Sequence, residues 1–327
     1  MSGIRRAPPV LALVGPTASG KTALSLPLAE ALDAEIISMD SRQVYRRMDI
    51  GTAKVTAAER ARIPHHGLDL VDPGERYSAG RFARDARRWI GEIRGRGRLP
   101  LLVGGTGFFL RALVEPVFQE PPLDPARRSA LQRLLEGLPA DELARWVLRL
   151  DPERAELAVA GGPQRMLRTL EVALLTGRSL SWWHSHAPAE ADPVAVGIVR
   201  LRIPREENVR RIDARAVEMF DRGLLAEVDR LLRGGAAPGD PGMTGTGYRE
   251  AADVLLGRSS LDEAVARIQA VTRAYARRQE TWFRHQLPPG VLELDALLPL
   301  DVQLDEVLRW WRTLHASSSR PPTKAST

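Results

Sequence analysis

The chain has 327 residues, 44% of them apolar and 27% charged, which is the profile of a globular protein rather than a disordered or fibrous one. It contains no cysteine, which excludes disulfides, thiolate zinc sites and iron–sulfur clusters and fits a cytoplasmic location. The formal charge of +6 points to a polyanionic partner, although 44 of the 47 basic residues are arginines, a bias that genome composition alone can produce. We expect neither a membrane span nor a signal peptide.

A buried strand over residues 10–14, a Gly-rich loop and a helix over residues 22–32 open the predicted fold. The loop Gly15-Pro16-Thr17-Ala18-Ser19-Gly20-Lys21-Thr22 fits G-x-x-x-x-G-K-[ST], the phosphate-binding loop. In such loops backbone amides and the helix N-terminus hold phosphates, the lysine contacts the terminal phosphates and the last hydroxyl binds Mg²⁺. We therefore predict that residues 15–22 bind a diphosphate or nucleotide, with Thr22 as the metal ligand.

A second strand over residues 35–38 is followed by Asp40-Ser41-Arg42-Gln43. Ligands of open α/β sheets bind beyond the carboxyl ends of the strands, so Asp40 is predicted to stand beside the phosphate loop. It is the candidate general base or metal-shell carboxylate. The alternative is an aspartate that caps a helix or lies on the surface.

Gly51-Thr52-Ala53-Lys54 is predicted to be a loop that enters a short helix, which Thr52 could cap. Since the chain has only three lysines, we hypothesise that Lys54 is a second phosphate contact. His65 and His66 precede a short apolar segment at 67–71. Adjacent strand side chains point to opposite faces, so we do not expect the two to bind a metal.

An amphipathic helix over residues 78–94 has an arginine-rich face that could meet a phosphate backbone or simply be solvated. The next strand, 99–103, runs into Gly104-Gly105-Thr106-Gly107, where a P-loop kinase often has an acidic metal residue. The glycines allow close approach to a ligand and the Thr106 hydroxyl can donate or accept a hydrogen bond. A tight strand-to-helix turn is the alternative.

The remaining chain is predicted to contain a helical insertion and then more of the sheet. Strands at 194–201 and 291–294 and helices at 205–221, 261–286 and 302–314 follow the insertion. On helix 205–221, Arg211 and Arg215 could point at one anion or pair with nearby acidic residues, namely Glu207, Asp213 and Glu218. The predicted fold is α/β, a P-loop NTPase-like parallel sheet flanked by helices with an inserted all-helical domain. Its parts are a lead-in at 1–9, a core at 10–118 and 191–315, the insertion at 119–190 and a disordered tail at 316–327.

Together these motifs resemble the tRNA dimethylallyltransferase family, the isopentenyl transferases of tRNA. The resemblance runs from about residue 10 to 286, and many short motifs in one order make it specific. They are Gly15–Thr22, Asp40–Gln43 with Tyr45, Met48–Lys54, Tyr77-Ser78, Leu102–Gly107, Pro163–Arg165, Gly247–Arg249, Arg277–Gln279 and Thr281-Trp282.

The resemblance implies transfer of a dimethylallyl group from its diphosphate to N6 of adenosine 37 in tRNAs that read codons beginning with U. It implies Mg²⁺, a monomer, the anticodon stem-loop as partner and no membrane. By position, Asp40 is the general base, Thr106 contacts the target base region and Arg215 assists the diphosphate. The implied tRNA contacts are Asp40, Ser41, Arg42, Gln43, Thr106, Arg128, Gln164, Arg165, Met166, Leu167, Arg168, Thr244, Gly247, Tyr248, Arg249, Arg277, Arg278, Gln279, Thr281, Trp282 and Arg284.

Two other functions compete with this prediction. The loop alone favours a P-loop phosphotransferase that acts on a small hydroxyl substrate, but Gly-Gly-Thr and the long insertion count against it. A non-catalytic, nucleotide-dependent RNA-binding module would need no general base, so it would tolerate loss of Asp40.

Overall fold

The computed structural model describes residues 9–115, 117–118, 123–187 and 189–318. The chain divides into two compact units, one of residues 1–115 and 194–327 and a smaller one of residues 116–193, which contains the predicted insertion. The first eight residues of the predicted lead-in and residues 319–327 of the predicted tail lie outside the described part.

A six-stranded parallel sheet forms the centre of the larger unit. The strands of the chain are β1 Val10–Val14, β2 Ala34–Ser38, β3 His65–His66, β4 Leu99–Gly104, β5 Val117–Phe118, β6 Ala189–Ala191, β7 Val196–Arg202 and β8 Leu292–Asp295. The parallel sheet has the order β3-β2-β4-β1-β7-β8. Every residue of β1 is buried, as expected of a central parallel strand covered on both faces. The carboxyl ends of β1, β2 and β4 therefore meet at one edge.

Fourteen α-helices lie within the described residues, and α5 to α9 belong to the smaller unit. They are α1 Lys21–Ala31, α2 Ala57–Arg62, α3 Ala79–Gly95, α4 Gly107–Val114, α5 Pro125–Glu136, α6 Ala140–Leu150, α7 Ala155–Ala160, α8 Pro163–Thr176, α9 Leu180–His186, α10 Arg205–Asp221, α11 Leu224–Arg233, α12 Tyr248–Leu255, α13 Leu261–Gln286 and α14 Leu300–Ser318. Helices α10 and α13 have their predicted bounds. No described helix is long and apolar enough to cross a membrane.

Strand β3 is formed by His65 and His66 and ends before the apolar segment at 67–71, because Gly67 and Asp69 have positive φ angles of 83° and 55° that end an extended chain. Two sequence predictions about the elements need correction. The smaller unit is not all helical, since β5 and β6 pair antiparallel; strands of two or three residues are too short to show an alternating pattern. Helix α14 includes residues 316–318 of the predicted disordered tail.

Each of the two units has its own apolar core. In the larger unit, Leu11 and Leu28 pack with Trp311 of α14, and a second cluster surrounds Tyr248. The smaller unit has its own core, which includes Val147 and Leu170. Each unit therefore buries its own apolar side chains, as a compact domain does.

A buried carboxylate ties the amino end of β2 to its neighbours. Glu35 accepts hydrogen bonds from Arg96 Nε at 2.9 Å and Nη2 at 2.7 Å, and its Oε2 lies 2.7 Å from His66 Nε2. The bonds from Arg96 lower the pKa of Glu35 to about 2; burial opposes this shift and His66 adds to it. The pKa of this carboxyl is 4.5 in the unfolded chain and about 2 in the folded chain, so the unfolded chain binds a proton first as the pH falls. The stabilisation is therefore present above about pH 4.5 and is lost as the pH falls toward 2.

We predict that Glu35→Gln lowers the free energy of unfolding at pH 7 by up to about 3 kcal/mol. The difference from the unmodified chain should shrink as the pH falls from 5 to about 2.5, as measured by urea unfolding at several pH values. A difference that stays constant over this window would show that Glu35 does not carry the acid dependence.

Candidate active site

The Gly-rich loop joins β1 to α1 and folds around its own lysine. Lys21 Nζ donates hydrogen bonds to the carbonyl oxygens of Gly15, at 2.9 Å, and Pro16, at 2.6 Å. Gly20 begins the helix with a φ of 94°, a left-handed conformation that glycine adopts without strain. Burial lowers the pKa of Lys21 to about 8, against an opposing effect of Asp40. A bound anion would favour the charged lysine, so the loop is suited to a negatively charged ligand.

Asp40 and Thr106 follow the neighbouring strands β2 and β4. Asp40 Oδ1 accepts a hydrogen bond from the Arg42 amide at 2.8 Å, which closes a turn; Asp40 caps no helix, because the next helix begins at Ala57 and is capped by Thr56. Thr106 Oγ1 accepts a hydrogen bond from the Ser41 amide at 3.2 Å, which joins the two strand ends. Within the described residues, Asp40 Oδ2 accepts no hydrogen bond and is left to receive a proton from a ligand.

The two α10 arginines that were predicted to face an anion, Arg211 and Arg215, have different surroundings. Arg211 Nε lies 2.6 Å from Glu207, so the pairing alternative holds for this residue. Arg215 has no carboxylate within ion-pair distance in the described part of the chain, and burial lowers its pKa while Asp40 opposes the shift. A desolvated guanidinium beside a desolvated lysine is a further indication of an anion site.

Lys21, Asp40 and Arg215 line two adjoining cavities of about 390 and 700 Å³. The smaller cavity extends between α10 and α13, and the larger one surrounds the Gly-rich loop. The two cavities share six of their lining residues, which are Thr17, Ala18, Asp40, Thr52, Arg215 and Tyr275. An anion on the loop and a second molecule beside Asp40 would therefore meet in one continuous space.

Two of the glutamines predicted as tRNA contacts hold the protein's own main chain instead. Gln279 is buried; its Oε1 accepts a hydrogen bond from the Thr17 amide and its Nε2 donates to Gly105 O, both at 2.8 Å. Gln43 accepts from Ser38 Oγ at 2.8 Å, and its Nε2 donates to the carbonyl oxygens of residues 52 and 53. Because their amide groups are occupied within the fold, these side chains position the site rather than read RNA.

Two other predicted tRNA contacts are core residues. Tyr248 is buried and donates its hydroxyl hydrogen to Glu227, which also accepts hydrogen bonds from the amides of residues 49–51. A Cβ on Gly51 would lie 2.4 Å from the Tyr248 ring, so this glycine permits the packing. Met166 is buried in the core of the smaller unit. The sequence marks these positions, but only the folded chain shows that they face inward.

Two of the three arginines predicted as contacts in the smaller unit are bound to one carboxylate. Arg128 lies 3.0 Å from Glu171, and Arg168 also pairs with it. Glu171 is buried, whereas Gln164 and Arg165 are exposed at the start of α8 and Leu167 is half-buried. Gln164 and Arg165 are thus accessible to RNA without rearrangement.

In the larger unit, most other predicted contacts are accessible. Arg42, Thr244, Arg249, Arg277, Arg278, Thr281 and Arg284 are exposed, Ser41 is half-buried and Gly247 is buried. Trp282 is half-buried against α4, where a Cβ on Gly107 would lie 2.4 Å from its ring. Trp282 therefore supports the turn after Thr106.

The hypothesis that Lys54 is a second phosphate contact is wrong. Its side chain is 1% exposed and Nζ donates to Asp69 at 2.6 Å, Asp49 at 2.8 Å and Tyr45 O at 2.6 Å. All three ammonium hydrogens are therefore used within the fold. Thr52 does not cap α2 either: Thr56 does, while the Thr52 hydroxyl donates to Met48 O.

Sequence reasoning missed Tyr275 and the apolar residues of the cavity between α10 and α13. Tyr275 lines both cavities; burial raises its pKa to about 12, and Asp40 adds to this. Ile212, Met219 and Ile268 line the smaller cavity. The signal was a helical period on α10 and α13, but that period is equally typical of core residues.

Comparisons with known proteins agree on one family. The family model described as IPP transferase matches residues 43–286, and the one described as Isopentenyl transferase matches residues 8–64. A tRNA dimethylallyltransferase of Roseiflexus sp. (strain RS-1) is 44% identical over 93% of this chain and 98% of its own. One from Thermomicrobium roseum is 44% identical over 84% of this chain and 83% of its own.

Solved structures show the same likeness. The full-length tRNA isopentenylpyrophosphate transferase of Bacillus halodurans is 34% identical, with a TM-score of 0.70 over 95% of this chain and 98% of its own. A eukaryotic dimethylallyltransferase captured acting on tRNA is 27% identical, with a TM-score of 0.78 over 96% of this chain and 81% of its own.

We predict that Lys54→Met lowers the free energy of unfolding by about 2–3 kcal/mol, because it leaves Asp49 and Asp69 without the buried ammonium. Urea unfolding at pH 7 measures this loss. Calorimetric affinity for inorganic diphosphate should stay within about twofold of the unmodified chain. The matched variant Lys21→Met should show the converse, a large loss of diphosphate affinity with little loss of stability. A folded Lys54→Met protein that binds diphosphate tenfold more weakly would restore the phosphate-contact hypothesis.

Proposed function

Since the chain belongs to the IPP transferase family and its curated relatives are tRNA dimethylallyltransferases, we propose the following acceptor atom and the following roles for the residues of this chain. The dimethylallyl group moves from dimethylallyl diphosphate to N6 of adenosine 37, in tRNAs that read codons beginning with U. The observation that carries this proposal is one continuous space that contains an anion loop with Lys21, the guanidinium of Arg215 and the open carboxylate oxygen of Asp40.

The proposed reaction exchanges one bond of the donor C1 atom for another. The C1–O bond breaks and its electron pair leaves with the diphosphate. Loop amides, Lys21 and Arg215 stabilise the negative charge where it grows. The adenine N6 forms the new bond to C1 and passes a proton to Asp40 Oδ2, so that the products are the N6-substituted base and diphosphate.

The loop also fits a divalent cation of the Mg²⁺ type. Mg²⁺ usually takes few protein ligands and several oxygens from substrate phosphates and water. Thr22 is exposed in the larger cavity, and the buried Ser19 Oγ has no partner among the described residues. No group of three or more acidic, histidine or cysteine side chains in the described ranges could hold a metal by itself. When bound, Mg²⁺ would neutralise part of the diphosphate charge.

The acceptor base must leave its stack to reach Asp40. Unstacking costs a few kcal/mol, and RNA loops are read by splayed bases and local arginine contacts. The exposed side chains of Arg42, Arg249 and Arg277 in the larger unit and of Arg165 in the smaller unit suit such contacts. These residues are proposed to bind the anticodon stem-loop, while Tyr248 and Gln279 support the site from inside.

A P-loop phosphotransferase is not favoured. Its metal carboxylate would follow a strand such as β4, where the chain has Gly104, Gly105 and Thr106. The Gly105 main chain instead accepts the hydrogen bond from Gln279, and a Cβ there would lie 2.3 Å from Gln279 Nε2. This position serves packing of the loop against α13.

The test is mass spectrometry of nucleosides from unmodified tRNA incubated with the protein, Mg²⁺ and dimethylallyl diphosphate. We expect a new N6-(dimethylallyl)adenosine peak that maps to the anticodon loop. A parallel incubation with γ-labelled ATP and small hydroxyl acceptors should yield no labelled acceptor. Labelled acceptor without modified tRNA would establish the phosphotransferase instead.

We predict that Asp40→Asn lowers kcat by about 10²–10⁴-fold, the range of a lost general base, while the Kd for tRNA changes little. Single-turnover assays and filter binding measure the two quantities. Asp221→Asn, at the exposed end of α10, is the matched control and should behave like the unmodified protein. Retained transfer in Asp40→Asn would point to the RNA-binding module or to another base.

We predict that Arg277→Ala weakens tRNA binding and reduces the slope of log Kd against log salt by about one, as expected for one phosphate contact. Arg233→Ala, which removes an equally exposed arginine on α11 outside the predicted contacts, should leave the slope unchanged. Equal slopes for both variants would remove Arg277 from the interface.

A further inference from the structure

The cavity between α10 and α13 has an apolar recess, formed by Ile212, Ala216, Met219 and Ile268. The three α10 residues have the spacing that places side chains on one helix face, and Arg215 lies on the same side. Ile212, Ala216 and Ile268 are buried, and Met219 is half-buried. A short aliphatic wall thus stands one turn from the cation that is proposed to hold the diphosphate.

Both helices are anchored to the Gly-rich loop at the opposite end of this recess. Asn208 Nδ2 at the start of α10 donates to Thr17 O at 2.9 Å, and Gln279 of α13 accepts from the Thr17 amide. Met219 and Ile268 each lie about three turns, roughly 16 Å, along their helix from these anchors. They are therefore at the end of the cavity far from the loop.

Protein core lies behind these two residues. Met219 packs against the cluster around Tyr248, and Ile268 is 2% exposed. Beside them, Gln269 Nε2 donates to Asp213 O at 3.2 Å and Arg273 lies 3.0 Å from the Asp213 carboxylate, which fixes α10 against α13. Packed residues and contacts between the two helices therefore hold this end of the recess in position.

The prenyl chain suits this recess better than the acceptor base does. The side chains of Ile212, Ala216, Met219 and Ile268 offer no hydrogen-bond partner to an adenine packed against them, and ring nitrogens left unpaired in this way are costly. A hydrocarbon chain that starts at a diphosphate beside Arg215 reaches Met219 after one helical turn, about 5.4 Å. That distance is comparable to the length of a five-carbon allylic group.

We propose that Met219 and Ile268 set the length of the prenyl chain, so that a five-carbon donor is accepted and a ten-carbon donor is excluded. This inference rests on the proposed function of the cavity. The chemistry is the same for either donor: the C1–O bond breaks toward diphosphate, N6 bonds to C1 and the N6 proton passes to Asp40.

The test compares kcat/KM for geranyl diphosphate and dimethylallyl diphosphate, with tRNA and Mg²⁺ present. Relative to the unmodified protein, the geranyl-to-dimethylallyl ratio should rise about tenfold or more in Met219→Ala, and further when Ile268→Ala is added, since each removed carbon relieves a clash. Met219→Phe should lower the use of dimethylallyl diphosphate itself. Thermal unfolding checks that each variant is folded, and Met219→Leu, which keeps the volume, should keep the original ratio.

Two control variants test whether the recess, and no other part of the protein, sets the length of the prenyl chain. Val217→Ala removes an exposed side chain from α10 and should not move the ratio. Val55→Ala enlarges the cavity on the other side of the loop, and a rise of the ratio in this variant would place the chain there and overturn the proposal.

Three further results would also overturn it. The first is a folded double variant with an unchanged donor ratio, and the second is an unmodified protein that uses both donors equally. The third is a variant of the recess whose KM for tRNA rises with no change of donor ratio, which would place the base in the recess. The proposed function has a separate failure, which is no transfer of a dimethylallyl group to tRNA by the unmodified protein. Transfer with an unaltered donor ratio contradicts only the inference about chain length.

Discussion

Two hydrogen bonds to the main chain of Thr17 hold the site together. The Thr17 amide donates to Gln279 and its carbonyl oxygen accepts from Asn208, across 262 and 191 residues of sequence. A loop that binds an anion through backbone amides must be fixed before the ligand arrives, because reorganising it would cost part of the binding energy. The same two bonds bring α10 and α13 to the loop and so place Arg215 and Tyr275 over it.

The charge of the cavity is costly to the folded protein until a ligand binds. Burial lowers the pKa values of both Lys21 and Arg215; Asp40 opposes the shift at both cations, and Glu218 opposes it at Arg215. Two desolvated cations close together favour a diphosphate, whose negative charge would stabilise both of them. The same cavity holds the Asp40 carboxylate, whose Oδ2 accepts no hydrogen bond within the described residues.

Several of the motif residues make their hydrogen bonds to other parts of the protein. Tyr248 donates a hydrogen bond to Glu227, which accepts from the main chain of residues 49–51, and Lys54 pairs with Asp69. Gln279 connects two loops, and Gly105 leaves space for that side chain. These motif residues therefore serve packing inside the protein, since a buried polar group without its partner is costly to the fold.

The sequence alone was sufficient for the parallel fold, for the loop from Gly15 to Thr22 and for Asp40, because these depend on local patterns: a buried apolar run, glycines at fixed offsets and a residue just after a strand. Helical periodicity likewise gave the bounds of α10 and α13. Only the tertiary structure decided which polar residues face a cavity and which face a partner inside the protein, as for Lys54, Gln279 and Tyr248. Burial and hydrogen-bond satisfaction depend on residues far apart in the chain, and the period of a single helix does not reveal which neighbour will cover each face.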